Sequence, residues 1–131
     1  MSSVKLLIVE ENEPMCRLLI SLLEGLPVSI GECHDGAKAL EACAEMQPDY
    51  IVVDLNLAGM EAFAAIRRIV AMLPDVRVLL LGEEDDSRLR RRAAEAGVWS
   101  YVLKESLIDV RRLLEPISED TGGPTRSSNV P

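Results

Sequence analysis

Aromatic residues make up only 3% of this 131-residue chain: one Trp, one Phe and two Tyr. A core with so few rings must be aliphatic, and a 48% apolar content is enough to build one. Positive charge is also scarce, with 14 Lys and Arg against 22 acids and a net charge of −8. That balance argues against non-specific nucleic-acid binding, which needs a basic surface. Cysteine is limited to Cys16, Cys33 and Cys43, an odd number with no C-x-x-C pair. A disulfide scaffold is thereby excluded, and the three residues read as reduced, core-filling thiols of a cytoplasmic protein. The N-terminal apolar run, Val4 to Val9 around Lys5, is too short for a signal peptide or a membrane span. No G-x-G-x-x-G or Walker pattern occurs, and the loop Glu10-Glu11-Asn12-Glu13-Pro14 is acidic. Both features count against a flavin or nucleotide site, which wants a Gly-rich or hydroxyl-rich loop. The sole histidine, His34, has no evident partner in sequence and reads as a surface or loop residue.

What is present is an alternation. Val4 to Val9 is a short apolar run that stops at acids, which predicts a buried strand. Pro14 to Gly25 carries Met15, Leu18, Leu19, Leu22 and Leu23 at helical spacing, with Pro in the first turn and Gly at the end. The second strand is Val28 to Cys33. The second helix is Asp35 to Met46, with Ala37, Leu40 and Ala44 along one side. Tyr50 to Val53, Val76 to Leu81 and Trp99 to Leu103 read as further strands. Met60 to Leu73, Asp86 to Ala96 and Leu107 to Ile117 read as helices, with Gly97 capping the fourth. Buried strands joined by helices imply a parallel sheet in an α/β layer fold. The segment after Ile117 is rich in Ser, Gly, Pro and Thr and has no apolar face, so residues 118–131 are expected to be a disordered tail.

In such sheets ligands sit beyond the carboxyl ends of the strands. Strand one ends in Glu10-Glu11, strand three in Asp54, strand four in Gly82-Glu83 and strand five in Lys104. Clustered carboxylates repel, so they protonate, spread into solvent or share a cation. Hard oxygen ligands at a wet rim suit Mg²⁺, and a lysine beside them suits a phosphoryl or carboxylate partner.

The stretches LLIVEENEP, PDYIVVDLNLAGME and EAGVWSYVLKES resemble the receiver domain of bacterial response regulators. The resemblance runs from about Val4 to Ile117 and places a receiver domain at residues 1–117. It implies a flavodoxin-like, doubly wound, five-stranded parallel sheet of order 2-1-3-4-5 with five helices. It also implies a phosphoacceptor rather than an enzyme acting on a separate substrate. Asp54 would take a phosphoryl group from a histidine kinase or phosphotransfer protein. Glu10 and Glu11 would hold Mg²⁺ with Asp54 and the backbone carbonyl of Asn56. Lys104 would contact the phosphoryl oxygens, and Tyr101 would be the aromatic whose rotamer follows phosphorylation. Output would pass by contact to a separate downstream effector. Receivers of this family often pair or signal through helix 4, strand 5 and helix 5, so a homodimer through that face is one expectation.

The chain departs from the family pattern at the readout. The switch Ser or Thr falls on Gly82, which has no hydroxyl to bond a phosphoryl group or to draw Tyr101 inward. Glu83 replaces a small residue and would repel an incoming donor. Glu11 stands where Asp is usual, and the loop after Asp54 reads Ala58-Gly59-Met60-Glu61-Ala62. A phosphorylation-independent interaction or dimerisation module is therefore the alternative reading. Asp85 or Asp86 can cap the fourth helix. Arg88, Arg90, Arg91 and Arg92 read either as a solvated helix face or as a partner surface, near which Arg111, Arg112 and an exposed Trp99 would lie.

Overall fold

The computed structural model describes residues 4–119. Five strands alternate with helices: β1 (Val4–Val9), α1 (Glu13–Leu22), β2 (Val28–Cys33), α2 (Ala39–Met46), β3 (Tyr50–Asp54), α3 (Ala62–Met72), β4 (Arg77–Gly82), α4 (Ser87–Ala96), β5 (Ser100–Leu103) and α5 (Ile108–Leu114). A short α6 (Pro116–Glu119) comes last, and 3₁₀ turns occupy Gly36–Lys38 and Lys104–Ser106. All four strand pairings are parallel and the order is β2-β1-β3-β4-β5, as expected. The expected tail lies outside the described residues from residue 120 onward. Among the described residues no helix is long and apolar enough to cross a membrane.

Strand alternation divides the core between the two faces of the sheet. Leu7, Val9, Ile51, Val53, Val78 and Leu80 meet α2, α3 and α4 through Cys43, Ile66, Ile69 and Ala93. Leu6, Ile8, Val52, Leu79, Leu81 and Val102 meet α1 and α5 through Leu19, Leu23, Val110 and Leu114. Both faces of β3 are covered, so every one of its residues is buried, Asp54 included.

Several helix faces and boundaries differ from the periodicity reading. Leu19 and Leu23 are buried as expected, but Leu18 is 46% exposed and Cys16 turns inward in its stead. In the second helix Ala37 and Ala44 are exposed while Ala39 and Cys43 are buried. The 3₁₀ turn at Gly36–Lys38 advances the chain by a different angle per residue, which shifts the phase of α2. Helix α3 starts at Ala62 rather than Met60, because Glu61 caps it by accepting from Phe63 N and Ala64 N. Pro116 ends α5 at Leu114, short of Ile117, since a proline cannot continue the helix before it. Strands β4 and β5 each begin one residue late, at Arg77 and Ser100.

Two capping expectations match. Asp86 accepts from Arg88 N and Leu89 N at the start of α4, and Gly97 ends that helix at φ 102°. That angle suits glycine, and a β-carbon there would also press on Val70 at 3.1 Å. All three cysteines are buried and unpaired.

Candidate functional site

The strand order reverses between β1 and β3, where the carboxyl ends of two neighbouring strands open toward solvent. Glu10 follows β1 directly and is held there by its amide, which donates to Cys33 O at 3.0 Å. Asp54 is the last residue of β3. Both are buried, Glu10 to 3% and Asp54 to 6% exposure, and no other polar or charged residue is buried among those described.

Asp54 has a partner for each oxygen. Oδ1 accepts from Asn56 N at 2.9 Å, and Oδ2 lies 2.8 Å from Lys104 Nζ. Lys104 reaches in from the 3₁₀ turn after β5. Burial alone would lower its pKa, but the hydrogen bond and charge of Asp54, with the charges of Glu10 and Glu83, override that and raise it. Glu83 stands 3.7 Å from the same ammonium and is mostly exposed.

Glu10 is the strained member. Its Oε2 accepts from Asn12 N at 3.1 Å, while Oε1 is buried and meets no donor. Its pKa is pushed up to about 7. Burial is the main cause; the Asn12 amide opposes it, Asp54 adds to it by hydrogen bonding and charge, and Lys104 opposes. An acid with a raised folded pKa binds a proton in the folded chain that the unfolded chain has released. Stability without divalent cations is therefore expected to fall as pH rises from about 4.5 to about 7. The full effect is up to about 3 kcal/mol, and Glu10→Gln should remove it. Urea unfolding of both proteins across that window checks this, and parallel curves would mean that Glu10 is ionised throughout.

The other expected residues fall into three places. The Glu11 carboxylate accepts from Gly36 N at 3.3 Å and Ala58 N at 3.1 Å, so it ties two loops together. Asn56 follows Asp54 by two residues and turns its amide onto it. Gly82 ends β4, and a β-carbon there would collide with the Tyr101 hydroxyl and ring.

The missing hydroxyl predicts a Tyr101 with no inward pull. The ring instead lies over Gly82, where the bare backbone leaves room for it. Its hydroxyl donates to Glu84 O at 2.8 Å, and the Arg90 guanidinium stacks 5.0 Å from the ring centre. Arg90 is in turn anchored to Asp85 at 2.7 Å.

The arginines are therefore more than a solvated face: Arg92 also stacks, 4.3 Å from the Phe63 ring centre. Arg111 is committed elsewhere, donating to Leu22 O and Glu24 O at the end of α1. Trp99 is 39% exposed but lies at the amino end of β5, edge-on to Tyr50, away from the acidic rim. Sequence inspection misses the Glu84 carbonyl and the Glu11 clamp, because a backbone acceptor and a loop tie carry no residue-type signal. It also misses the partners of His34, which bonds Glu32 at 2.8 Å.

The chain is similar to known proteins in sequence and in fold. The family model for the response regulator receiver domain matches residues 6–118. The transcriptional regulatory protein LiaR of Bacillus subtilis (strain 168) is 31% identical over 105 residues, covering 79% of this chain and 50% of its own length. Protein-glutamate methylesterase/protein-glutamine glutaminase 5 of Myxococcus xanthus (strain DK1622) is 30% identical over 118 residues, covering 87% of this chain and 34% of its own length. This chain thus spans half or less of these two relatives. A two-component response regulator of the LuxR family from Aurantimonas sp. SI85-9A1 superposes with a TM-score of 0.79 at 25% identity, over 90% of this chain and 86% of that one. The chemotaxis response regulator CheY4 of Vibrio cholerae gives 0.75 at 18% identity, over 86% of this chain and 99% of its own, which shows the flavodoxin-like fold alone. With a matching family model across nearly its whole described length, the chain belongs to the response regulator receiver domain family of two-component signalling.

Proposed function

We propose that Asp54 is a phosphoacceptor, charged by a histidine kinase or a phosphotransfer protein, in a receiver whose aromatic switch is already set. The observation that carries the first half is the buried Asp54 carboxylate paired with Lys104 at 2.8 Å at the strand-order reversal. Phosphoryl transfer needs positioning and charge neutralisation more than a reactive base. An Asp54 oxygen would attack phosphorus while the bond from phosphorus to the donor's imidazole nitrogen breaks. That nitrogen keeps the electron pair, and Asp54 becomes an acyl phosphate. Lys104 is placed to follow the phosphoryl oxygens, since it already sits on Asp54 Oδ2.

The donor set fits Mg²⁺, as receiver domains generally do. Glu10 Oε1 is a buried oxygen with no partner, and Asp54 lies next to it as a second hard ligand. We place the ion on Glu10, Asp54 and the Asn56 carbonyl. Glu11 would join only by releasing Gly36 N and Ala58 N. When bound, the ion would neutralise charge on the transferred group. Glu83 hangs over the Lys104 ammonium as an exposed anion and repels phosphoryl donors.

Incubating the chain with acetyl phosphate and Mg²⁺ is expected to add one phosphoryl group to its intact mass. Asp54→Ala should add none. No gain in the wild-type protein, even with a phosphoramidate donor, would rule the proposal out.

Signalling would then pass by protein contact to a separate effector, with α4, β5 and α5 as the pairing face. The alternative, a module that acts without phosphorylation, draws support from Tyr101. Its ring rests over Gly82 with the hydroxyl bonded to Glu84 O, and no phosphate is needed to hold it. The two readings part on whether Asp54→Ala abolishes partner binding.

A further inference from the structure

Behind the acidic rim, on the α1 side of the sheet, three side chains of unlike chemistry converge. Glu32 and His34 are two residues apart, so the strand period turns both to the same face at the end of β2. Cys16, in the first turns of α1, packs onto that face. Cys33 lies between the two and projects to the opposite face, its sulfur donating to Asp35 O at 3.2 Å. The ligand atoms are already close. Glu32 Oε1 is 2.8 Å from His34 Nε2 and 3.5 Å from Cys16 Sγ, and Cys16 Sγ is 3.9 Å from His34 Nε2.

We propose that Cys16, Glu32 and His34 form a binding site for a divalent transition-metal ion of the zinc class. A tetrahedral Zn²⁺ with bonds of about 2.0 to 2.3 Å spaces its ligand atoms about 3.4 to 3.6 Å apart. The three distances here bracket that range, so small side-chain rotations close the triangle on an ion. One thiolate, one imidazole and one carboxylate select Zn²⁺ over Mg²⁺, which wants oxygen ligands. The sulfur is fully buried while His34 is half exposed, so an ion would enter from the His34 side and keep a water as fourth ligand. Binding releases the thiol proton to solvent. Arg17 is the competitor: its Nη2 lies 2.6 Å from the same Glu32 oxygen and must share it or swing away. The site uses none of the residues assigned to phosphoryl transfer, so it stands or falls independently of that function.

The test is a Co²⁺ titration of the reduced full chain, with excess Mg²⁺ present to occupy the oxygen site at Asp54. One equivalent of Co²⁺ is expected to produce a thiolate-to-cobalt charge-transfer band together with the visible bands of a four-coordinate ion. Stoichiometric Zn²⁺ should erase both. Cys16→Ser should abolish the charge-transfer band. His34→Ala alters a half-exposed side chain, so it is expected to fold, and it should weaken binding by at least about tenfold, as loss of even a supporting partner does. Absence of the band in the wild-type chain would overturn the proposal. So would a band that survives Cys16→Ser, which would assign it to Cys33 or Cys43, or an affinity unchanged by His34→Ala.

Discussion

Lys104→Met is expected to destabilise the folded chain by about 2 to 3 kcal/mol at neutral pH without divalent cations. The substitution keeps the apolar stem and removes only the ammonium. Asp54 would then keep its Asn56 amide and lose its ion pair, at 6% exposure and beside the buried Glu10. Removing one partner of a fully buried pair costs about 3 to 5 kcal/mol; the site lies at a rim, which lowers the figure. The folded pKa of Lys104 lies above its ordinary value. Its contribution is thus fully present below the unfolded pKa and is lost only as pH climbs through the folded one, well into the alkaline range. Asp54→Asn in the Lys104→Met background should recover most of the loss, because it removes the uncompensated charge. Denaturant unfolding of the four proteins gives the coupling directly. An unchanged midpoint in Lys104→Met would mean that Asp54 is hydrated and that the pair positions without stabilising.

Gly82→Thr is expected to expel Tyr101 from its place over β4. The new β-carbon would occupy the position of the Tyr101 hydroxyl, so ring and side chain cannot coexist in the present rotamer. Tyr101 would forfeit its bond to Glu84 O, about 1 kcal/mol, and its Arg90 contact, up to about 1 kcal/mol at an exposed site. Replacing glycine inside a strand returns up to about 1 kcal/mol, so net stability moves little. The large change is in the ring. Tyr101 resonances in the wild-type protein should show one environment that acetyl phosphate leaves alone. In Gly82→Thr they should move to a solvent-exposed environment and stay out of the wild-type one, because the β-carbon keeps the ring from its present rotamer. A wild-type Tyr101 that shifts on addition of acetyl phosphate would refute the constitutive placement.

Much of this protein was fixed by local chemistry. The run Tyr50 to Val53 is apolar on both faces, which only a central strand of a covered sheet can satisfy, and the carboxylate after it had to emerge at that strand's end. The same logic located Glu10 and Lys104. Helix existence followed from spacing and from Pro14, Asp86 and Gly97, whose backbone preferences act within a few residues.

Phase and partnership were decided by the tertiary structure. A three-residue 3₁₀ turn moved the buried face of α2 from Ala37 and Ala44 to Ala39 and Cys43, and no periodicity count anticipates a change in rise per residue. His34 and Cys16 are 18 residues apart and became neighbours only because α1 packs back over β2. Gly82 announced in the sequence that a hydroxyl was missing. That Tyr101 would fill the space, bond the Glu84 carbonyl and be covered by Arg90 depended on three strand and helix ends meeting in space. Composition and spacing act along the chain and so determined the alternating strands and helices and the acidic rim, while the strand order was implied by the family resemblance. Contacts between distant segments depend on how side chains fill the gaps left by their neighbours, and so only packing could set the switch.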